Sequence, residues 1–349
     1  MEEIKLTQYS KGSGCGCKIS PSVLKDIIEC SEAFPPDSRL WVGSETADDA
    51  AVMEWSGDEG LIATTDFFMP MVDDAYAFGK IAAANSLSDV YAMGGSPMMA
   101  LAILGWPIEK LPPARAREVL EGARSICRIA GIPLAGGHSI ESAEPIFGLA
   151  VNGRVTRKNL LRNNGARAGD VLYMTKPLGV GIVTAAMKRG QLVDSTHLDA
   201  CISYMSTLNK IGESLASELE VHAMTDVTGF GFAGHLLEMC EGSNLSATID
   251  FSSLPVYPFL DSYLSAHIYP DMTMKNYSYY ASKMEQLSLQ QILVMCDPQT
   301  SGGLLIAVPE HACAAMESRM RDFGLGPFAH RVGVMEPMNE VSPIRIRVQ

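Results

Sequence analysis

Residues 50–70 read AAVMEWSGDEGLIATTDFFMP. The runs AAVMEW and GLIATTDFF within this segment are rich in apolar and β-branched residues, which is typical of β-strands. Downstream, the apolar spacing predicts a helix from Ala75 to Met93. Strands that alternate with a helix at this spacing indicate a mixed domain of sheet and helices.

The same alternation continues outward from this segment to about Val155. Three further β-rich runs, MMALAILGW, IPLAGG and IFGLAVNGRV, accompany a second helical stretch from Ala114 to Ile129. The chain becomes polar and basic at 156–169, which marks a domain boundary. We therefore predict an α/β (α+β) protein with a flexible Gly-rich tail at 1–20. An N-terminal domain at 21–157 and a C-terminal domain at 168–349 follow the tail.

In the C-terminal domain the apolar pattern predicts helices near 179–189, 197–218 and 309–323. The stretch 252–290 is less regular. The runs TTDFF and MTDVTGF each end a strand with an acidic residue near threonine and precede a helix. This similarity favours a duplicated architecture, although no sequence repeat is evident.

The chain has 349 residues and a net charge of −13, from 27 Lys and Arg against 40 Asp and Glu. Such a chain repels polyanions, so we expect no nucleic-acid partner. If it acts on a phosphorylated substrate, Mg²⁺ held between carboxylate and phosphate is the simplest neutralising group. The longest apolar run has about twelve residues, against the ~20 that span a membrane, and the acidic start is unlike a signal peptide. We therefore expect a cytoplasmic protein with no membrane partner.

The segment GSGCGCK at 12–18 differs from a phosphate-binding P-loop, because Cys17 precedes the lysine and Ile19 follows it. A zinc site at Cys15 and Cys17 would need two further ligands, and none is close in sequence. An exposed cysteine between glycines and near Lys18 would instead have a lowered pKa and act as a reactive thiol. Two incidental thiols on a mobile tail are the alternative. If the segment is extended, Cys15 and Cys17 share a side and Lys18 faces away.

A second glycine motif lies in TDVTGFGFAGHLLEMC at 225–240. Gly229, Gly231 and Gly234 match the dinucleotide-binding pattern G-x-G-x-x-G at the start of a helix. Asp226 argues against a nicotinamide site, since its charge would face a bare pyrophosphate. With a metal ion present, the same carboxylate becomes a ligand.

Several acidic residues lie at the ends of predicted elements or on an apolar helix. Asn85 and Asp89 are four residues apart on the helix that begins at Ala75, so both lie on one face among apolar neighbours. Buried polar groups of this kind are costly unless they are paired or bind a metal. Each aspartate alone could be a cap or turn residue, but together they favour a Mg²⁺ site. The full set is Asp48, Asp49, Asp66, Asp89 and Asp226.

These motifs together closely resemble the selenophosphate synthetase family, over nearly the whole chain. That family is part of a wider superfamily of aminoimidazole ribonucleotide synthetase-like ATP-using enzymes, and the GCGCK tail distinguishes the selenium branch. The matching motifs are GSGCGCK (12–18), TADDAAV (46–52), TTDFFMP (64–70), NSLSDVYAMGG (85–95), LAILGWP (101–107), LAGGHS (134–139), MTDVTGFGFAGHL (224–236) and CDPQTSGGLL (296–305).

The resemblance implies a two-domain aminoimidazole ribonucleotide synthetase-like fold and a homodimer whose paired N-terminal sheets form a barrel. It implies that Cys15 is the catalytic position and Lys18 the essential lysine, which also binds ATP. Metal-binding residues are then Asp49, Asp89 and Asp226. The residues implied in nucleotide binding are Lys18, Thr46, Ala47, Asp48, Asp66 and Asp89, with Gly137, His138 and Ser139 reaching the partner's ATP.

The activity implied by the resemblance is synthesis of selenophosphate from selenide, ATP and water, with release of AMP and inorganic phosphate. Mg²⁺ is the implied cofactor, and a selenium-delivery protein is compatible as a further partner. Two alternatives remain open on the residues alone. One is another ATP-dependent synthetase or phosphotransferase of the superfamily, which would not need the Cys-Gly-Cys tail. The other is a non-enzymatic thiol or metal carrier, which would not need the aspartates.

Overall fold

The N-terminal half is built on a six-stranded sheet. The computed structural model describes residues 4–19, 23, 27, 37–43, 48–339 and 342–349. The strands are β1 (Leu40–Val42), β2 (Ala51–Ser56), β3 (Glu59–Phe68), β4 (Ser96–Trp106), β5 (Leu134–Glu141) and β6 (Ile146–Thr156), in spatial order β1-β2-β3-β6-β4-β5. β4 pairs with β5 in parallel, and the other neighbours in this sheet pair antiparallel.

One face of this sheet is covered by two helices, α1 (Ala75–Ala92) and α2 (Pro113–Ala130). Both helices were predicted from the apolar spacing and are confirmed. In the described ranges the opposite face carries large apolar side chains that are exposed. They include Trp55, Phe67, Met99 and Leu101, which are 66%, 51%, 38% and 37% exposed. These four residues therefore form an exposed apolar patch on the sheet.

The C-terminal half contains a second six-stranded sheet. Its strands are β7 (Val171–Met174), β8 (Ala223–Asp226), β9 (Leu245–Ile249), β10 (Leu304–Val308), β11 (Gly333–Pro337) and β12 (Ile346–Val348), in order β12-β9-β11-β7-β10-β8. β9 and β12 pair in parallel, and the other neighbours pair antiparallel. Its helices are α3 (Val180–Lys188), α4 (Ser195–Met205), α5 (Ile211–Glu218), α6 (Gly231–Gly242), α7 (Asp261–Leu264), α8 (Asp271–Tyr280), α9 (Leu289–Met295) and α10 (Cys313–Asp322).

The mixed α/β architecture with two sheets is therefore confirmed, and β3 and β8 are each followed by a helix. The single helix predicted over 197–218 is wrong, because α4 ends at Met205 and α5 begins at Ile211. The buried Asn209 amide in this break donates to Ser88 Oγ at 2.8 Å and to the Gly302 carbonyl at 2.9 Å. These long-range bonds hold the connecting residues in place without a continuous helix.

Helix α1 lies at the centre of the molecule. It packs on the first sheet and on α2, and it also contacts β8, α4 and α5 of the C-terminal half. Nearly every residue of α1 is buried, including the polar Asn85, Ser86, Ser88 and Asp89. A helix that is buried all round must satisfy its polar side chains internally, and here they face the junction between the two halves. Among the described helices, none is both long and apolar enough to cross a bilayer.

Candidate functional site

The N-terminal tail is packed against both halves of the protein over residues 4–19. Its sequence predicts a mobile segment, yet Leu6 and Cys15 are completely buried. Lys188 at the end of α3 donates hydrogen bonds to three consecutive tail carbonyls, those of Ser10, Lys11 and Gly12, at 2.9, 3.0 and 3.0 Å. Long-range contacts therefore give order to a segment whose glycines have little local preference.

The tail cysteines lie in a 3-10 turn, Gly14–Cys17, and not in an extended segment. Gly14 has a φ of +50°, and its amide donates to the Met69 carbonyl at 3.0 Å. The expectation that Cys15 and Cys17 share a side with Lys18 opposite is therefore wrong. The Cys17 thiol donates back to the Gly14 carbonyl at 2.8 Å, whereas Cys15 points into the protein.

The Cys15 side chain contacts a buried amide on α1. Its thiol lies 3.5 Å from Asn85 Oδ1, and its backbone amide donates to Thr300 Oγ1 at 3.1 Å. The Asn85 amide nitrogen in turn donates to Asp66, and the Ser301 backbone amide donates to Asn85 Oδ1 at 2.8 Å. Cys15 is thus placed by residues from β3, α1 and the loop before β10.

Burial changes the chemistry expected of Cys15. The sequence predicts an exposed thiol with a lowered pKa, and both expectations are wrong in this docked state. Loss of solvent raises the pKa of Cys15 well above its ordinary value, and the carboxylate of Asp66 raises it further. The positive charge of Lys18 lowers the pKa but does not outweigh those effects. Burial also raises the pKa of Cys17.

Lys18 lies among acidic groups and keeps its proton. Burial lowers its pKa, but the charges of the surrounding acidic groups, chiefly Asp66, outweigh burial and raise the pKa above the ordinary value. Its ammonium lies 3.5 Å from Thr228 Oγ1 and 5.9 Å from the centre of the Phe230 ring. The side chain therefore places a permanent positive charge beside the carboxylates.

Three aspartates from separate elements lie at the junction of the two halves. Asp49 precedes β2, Asp89 is on α1, and Asp226 ends β8. Thr225 Oγ1 donates to Asp49 Oδ1 at 2.8 Å, and Thr64 Oγ1 donates to Asp89 Oδ2 at 2.5 Å. Burial raises the pKa of all three carboxyls, and the charge of Asp226 raises those of the other two further.

The donor set fits a hard divalent cation. Asp49 Oδ2 and Asp226 Oδ2 are both buried and have no hydrogen-bond partner in the described structure. Such carboxylate oxygens are costly when left unpaired, and they are the ligands that Mg²⁺ prefers. As placed, no three acidic, histidine or cysteine side chains in the described ranges converge into a finished metal site. A zinc site at Cys15 and Cys17 thus has no support among the described residues.

The structure places the remaining predicted residues in three locations. Asp66 lies within the site beside Asn85. Asp48 accepts a hydrogen bond from the Asn163 backbone amide at 2.9 Å and so contacts the segment between the halves. Gly137, His138 and Ser139 are exposed on β5, an edge strand of the first sheet. Thr46 and Ala47 lie outside the described residues.

Sequence reasoning missed three residues that hold the site together. Thr228 and Thr300 belong to two of the motifs that carry the resemblance, but only the fold shows that their hydroxyls meet Lys18 and Cys15. The role of Lys188 could not be predicted from sequence, because a lysine at the end of a helix is common and does not indicate a partner that is distant in the chain.

The dinucleotide interpretation of the second glycine motif is not supported. β8 is an edge strand that pairs antiparallel with β10, whereas a nucleotide-binding βαβ unit needs a parallel sheet. Gly229 has a different role, because a Cβ there would lie 2.7 Å from the Cys15 carbonyl oxygen and 3.0 Å from Lys18 Cδ. The absence of a side chain at Gly229 lets the tail dock.

We therefore expect Gly229→Ala to loosen the tail. The added methyl group overlaps the Cys15 carbonyl, so the docked state loses population and the Cys15 thiol becomes accessible. Alkylation of Cys15, followed by peptide mass spectrometry, should be at least about tenfold faster than in the wild type. Gly326→Ala is a matched control, because its Cβ would make only an ordinary 3.7 Å contact. Equal alkylation rates in wild type and Gly229→Ala would contradict this account of docking.

Two family models and several relatives match most of this chain. The family "AIR synthase related protein, N-terminal domain" matches residues 47–155, and the corresponding C-terminal domain family matches 167–345. A selenide, water dikinase of Colwellia psychrerythraea is 52% identical over 339 residues, covering 97% of this chain and 98% of that protein. The one from Shewanella baltica is 49% identical over 345 residues, covering 98% and 97%.

Solved structures extend the likeness of the fold. AaThiL complexed with AMPPCP and TMP has a TM-score of 0.66 at 17% identity, covering 94% of this chain and 91% of that one. The hydrogenase maturation protein HypE in complex with ATP has a TM-score of 0.65 at 19% identity, covering 89% and 87%. With two domain families matched across most of its length and relatives near 50% identity, the chain belongs to the AIR synthase related family and, within it, to the selenide, water dikinases.

Proposed function

We propose that this protein makes selenophosphate from selenide, ATP and water, and releases AMP and inorganic phosphate. The observation that supports this most directly is the docking of Cys15 and Lys18 of the tail beside Asp66, Asp89 and Asp226. A thiol for selenium chemistry and a charged site for phosphates thus lie in one place. The thiol alone would fit a thiol carrier, and the carboxylates alone would fit another ATP-dependent enzyme of the superfamily.

Phosphoryl transfer to a strong nucleophile such as selenide depends mainly on positioning and charge neutralisation. Lys18 supplies a fixed positive charge for the transferred phosphoryl group, since the adjacent carboxylates keep it protonated. Asp49, Asp89 and Asp226 would hold Mg²⁺, which neutralises phosphate charge and orients the phosphates. Asp66 fixes the Asn85 amide, and that amide orients Cys15.

Cys15 is a protonated thiol in the docked state, because burial and Asp66 both raise its pKa. It gains thiolate character when the tail opens to water or when the charge of the neighbouring carboxylates is neutralised. We infer that Cys15 guides selenide, and that the closed tail excludes water from the phosphoryl group. In the exposed cysteine predicted from sequence, movement of the tail would not change the protonation of the thiol.

ATP is the substrate expected at the carboxylates, and we propose Asp48, Asp66 and Asp89 as residues that bind it. Gly137, His138 and Ser139 are exposed on the edge strand β5, where they are available to a nucleotide bound by a second copy of the chain. This geometry supports a homodimer in which the first sheets of two copies pair. A closed assembly would also cover the apolar face around Phe67 and Leu101.

We expect light scattering at micromolar concentration to give twice the 37.6 kDa mass of one chain. Met99→Glu combined with Leu101→Glu should give a monomer, because both side chains lie on the exposed apolar face and a charge there cannot be buried cheaply. Ile129→Glu is the control, since that exposed apolar residue lies on α2, away from this face. A wild-type monomer would contradict the proposed assembly.

Phosphorus NMR of an anaerobic mixture of protein, ATP, Mg²⁺ and selenide tests the function directly. We expect a selenophosphate resonance together with equal amounts of AMP and inorganic phosphate. ATP turnover that does not depend on selenide would instead favour another synthetase or phosphotransferase of the superfamily. The absence of any turnover would favour a thiol or metal carrier.

A further inference from the structure

A cavity of about 350 Å³ opens beside the docked tail, and its described lining includes none of Asp49, Asp66, Asp89 and Asp226. We call it the vestibule. One wall is the tail, with Lys11 and Gly16, and the other wall is the C-terminal half, with Lys188, Arg189, Lys275 and Thr300. The proposed reaction assigns no role to this cavity.

The vestibule is strongly basic in a chain of net charge −13. Four cationic side chains line it, whereas its described lining contains one carboxylate, Asp271, whose side chain is 93% exposed and 4.0 Å from Arg189. The Lys188 ammonium donates to neutral carbonyls, so its charge is not cancelled by a direct ion pair. A concave surface with this charge concentrates small anions from solution.

The inner end of the vestibule reaches the residues on either side of the Cys15 backbone. Gly16 follows Cys15 in the chain, and Thr300 Oγ1 accepts the hydrogen bond from the Cys15 amide. Gly16 lies beside Pro298 at this end, since a Cβ there would make an ordinary contact with Pro298 Cγ at 3.7 Å. The Cys15 backbone therefore adjoins the inner end of the vestibule, and a movement of the tail would join the cavity to the thiol.

The other approach to Cys15 is unsuited to an anion that arrives without a metal ion. On that side the thiol faces Asn85 and the negative charges of Asp66 and Asp226, where phosphates and Mg²⁺ are expected. A second cavity, of about 740 Å³, adjoins Lys18 and shares Lys275 with the vestibule, but its lining is more apolar and includes Met272, Met274 and Tyr279. The vestibule has no aromatic ring in its described lining for a nucleobase to stack on.

We propose that the vestibule is the entry site for the hydrogenselenide anion, separate from the nucleotide site. The inference rests on the proposed function and specifies how its second substrate arrives. Selenide is small, singly charged near neutral pH, and repelled by the carboxylates that bind the metal and nucleotide. A basic entrance behind the tail brings it to Cys15 without crossing the ATP site.

The test combines Lys11→Gln with Lys275→Gln. Both lysines are exposed and neither ammonium donates a hydrogen bond among the described residues, so the fold should be kept. At low salt, kcat/KM for selenide should fall about tenfold while KM for ATP stays unchanged, because only the attraction of the small anion is lost. The difference should shrink at about 1 M salt, where charges are screened within ~3 Å. Lys158→Gln, another exposed lysine outside the vestibule lining, is the matched control.

A second variant, Ala185→Phe, narrows the same cavity without changing its charge. It should also lower kcat/KM for selenide and leave KM for ATP unchanged. Unchanged selenide kinetics in both variants would overturn the vestibule proposal while leaving selenophosphate synthesis intact. An inactive wild type would instead overturn the proposed function itself, so the two failures are distinguishable.

Discussion

Cys15→Ser is expected to reduce selenide-dependent selenophosphate formation to below about a thousandth of the wild-type rate. A hydroxyl cannot replace a thiol that guides selenide, because its pKa is far higher and it supplies no thiolate. The substitution is nearly isosteric at a fully buried position, and serine can still donate to Asn85 Oδ1. The fold and the docked tail should therefore survive, as circular dichroism and thermal unfolding can verify.

Cys17→Ser is the matched control, since its thiol donates to the Gly14 carbonyl and does not contact Asn85 as the Cys15 thiol does. It should retain appreciable activity, whereas Lys18→Ala should be inactive because the charge beside Asp66 is lost. An active Cys15→Ser enzyme with an inactive Cys17→Ser enzyme would overturn the assignment. Equal retention in both would make the tail a lid without thiol chemistry.

Asp226→Asn should lower Mg²⁺-dependent ATP affinity by about 100-fold, since it removes a buried carboxylate oxygen that has no protein partner. The same change should raise the thermal stability of the metal-free protein. Burial raises the pKa of Asp226 in the folded state, so folding disfavours its charged form and stability is lost as pH rises through that pKa. The neutral amide avoids this loss.

Calorimetry with and without Mg²⁺ and ATP checks both effects. Adding Mg²⁺ with ATP should raise Tm in the wild type and much less in Asp226→Asn. Asp58→Asn is the control, because that carboxylate is exposed in the turn between β2 and β3. Unchanged nucleotide affinity in Asp226→Asn, and in Asp49→Asn and Asp89→Asn, would refute a shared metal site.

Much of the fold could be predicted because its signals are local. The apolar spacing in α1 and α2 and the β-rich run at β3 each specify an element without reference to the rest of the chain. The break between α4 and α5 could not be predicted in the same way. It depends on the Asn209 amide meeting Ser88 and Gly302, which are far from it in sequence.

The candidate site likewise contains residues with a local sequence signal and residues whose role depends on distant contacts. The aspartates could be anticipated, because acidic residues at element ends and on an apolar helix are visible as such. The state of Cys15 could not, since burial and the proximity of Asp66 decide its pKa, and neither is a property of the tail sequence. Lys188 and Thr300 likewise acquire their roles only when the tail docks.

The docked tail also acts as a strap across the two halves. Thr7 donates to Asp73 next to α1, while Lys188 and Thr300 bind the same tail from the C-terminal half. Closing the site and fixing the two halves relative to each other are therefore one cooperative event. The site is therefore reactive only when the two halves are held rigidly together. Binding of one substrate alone need not shift the protein to this closed state.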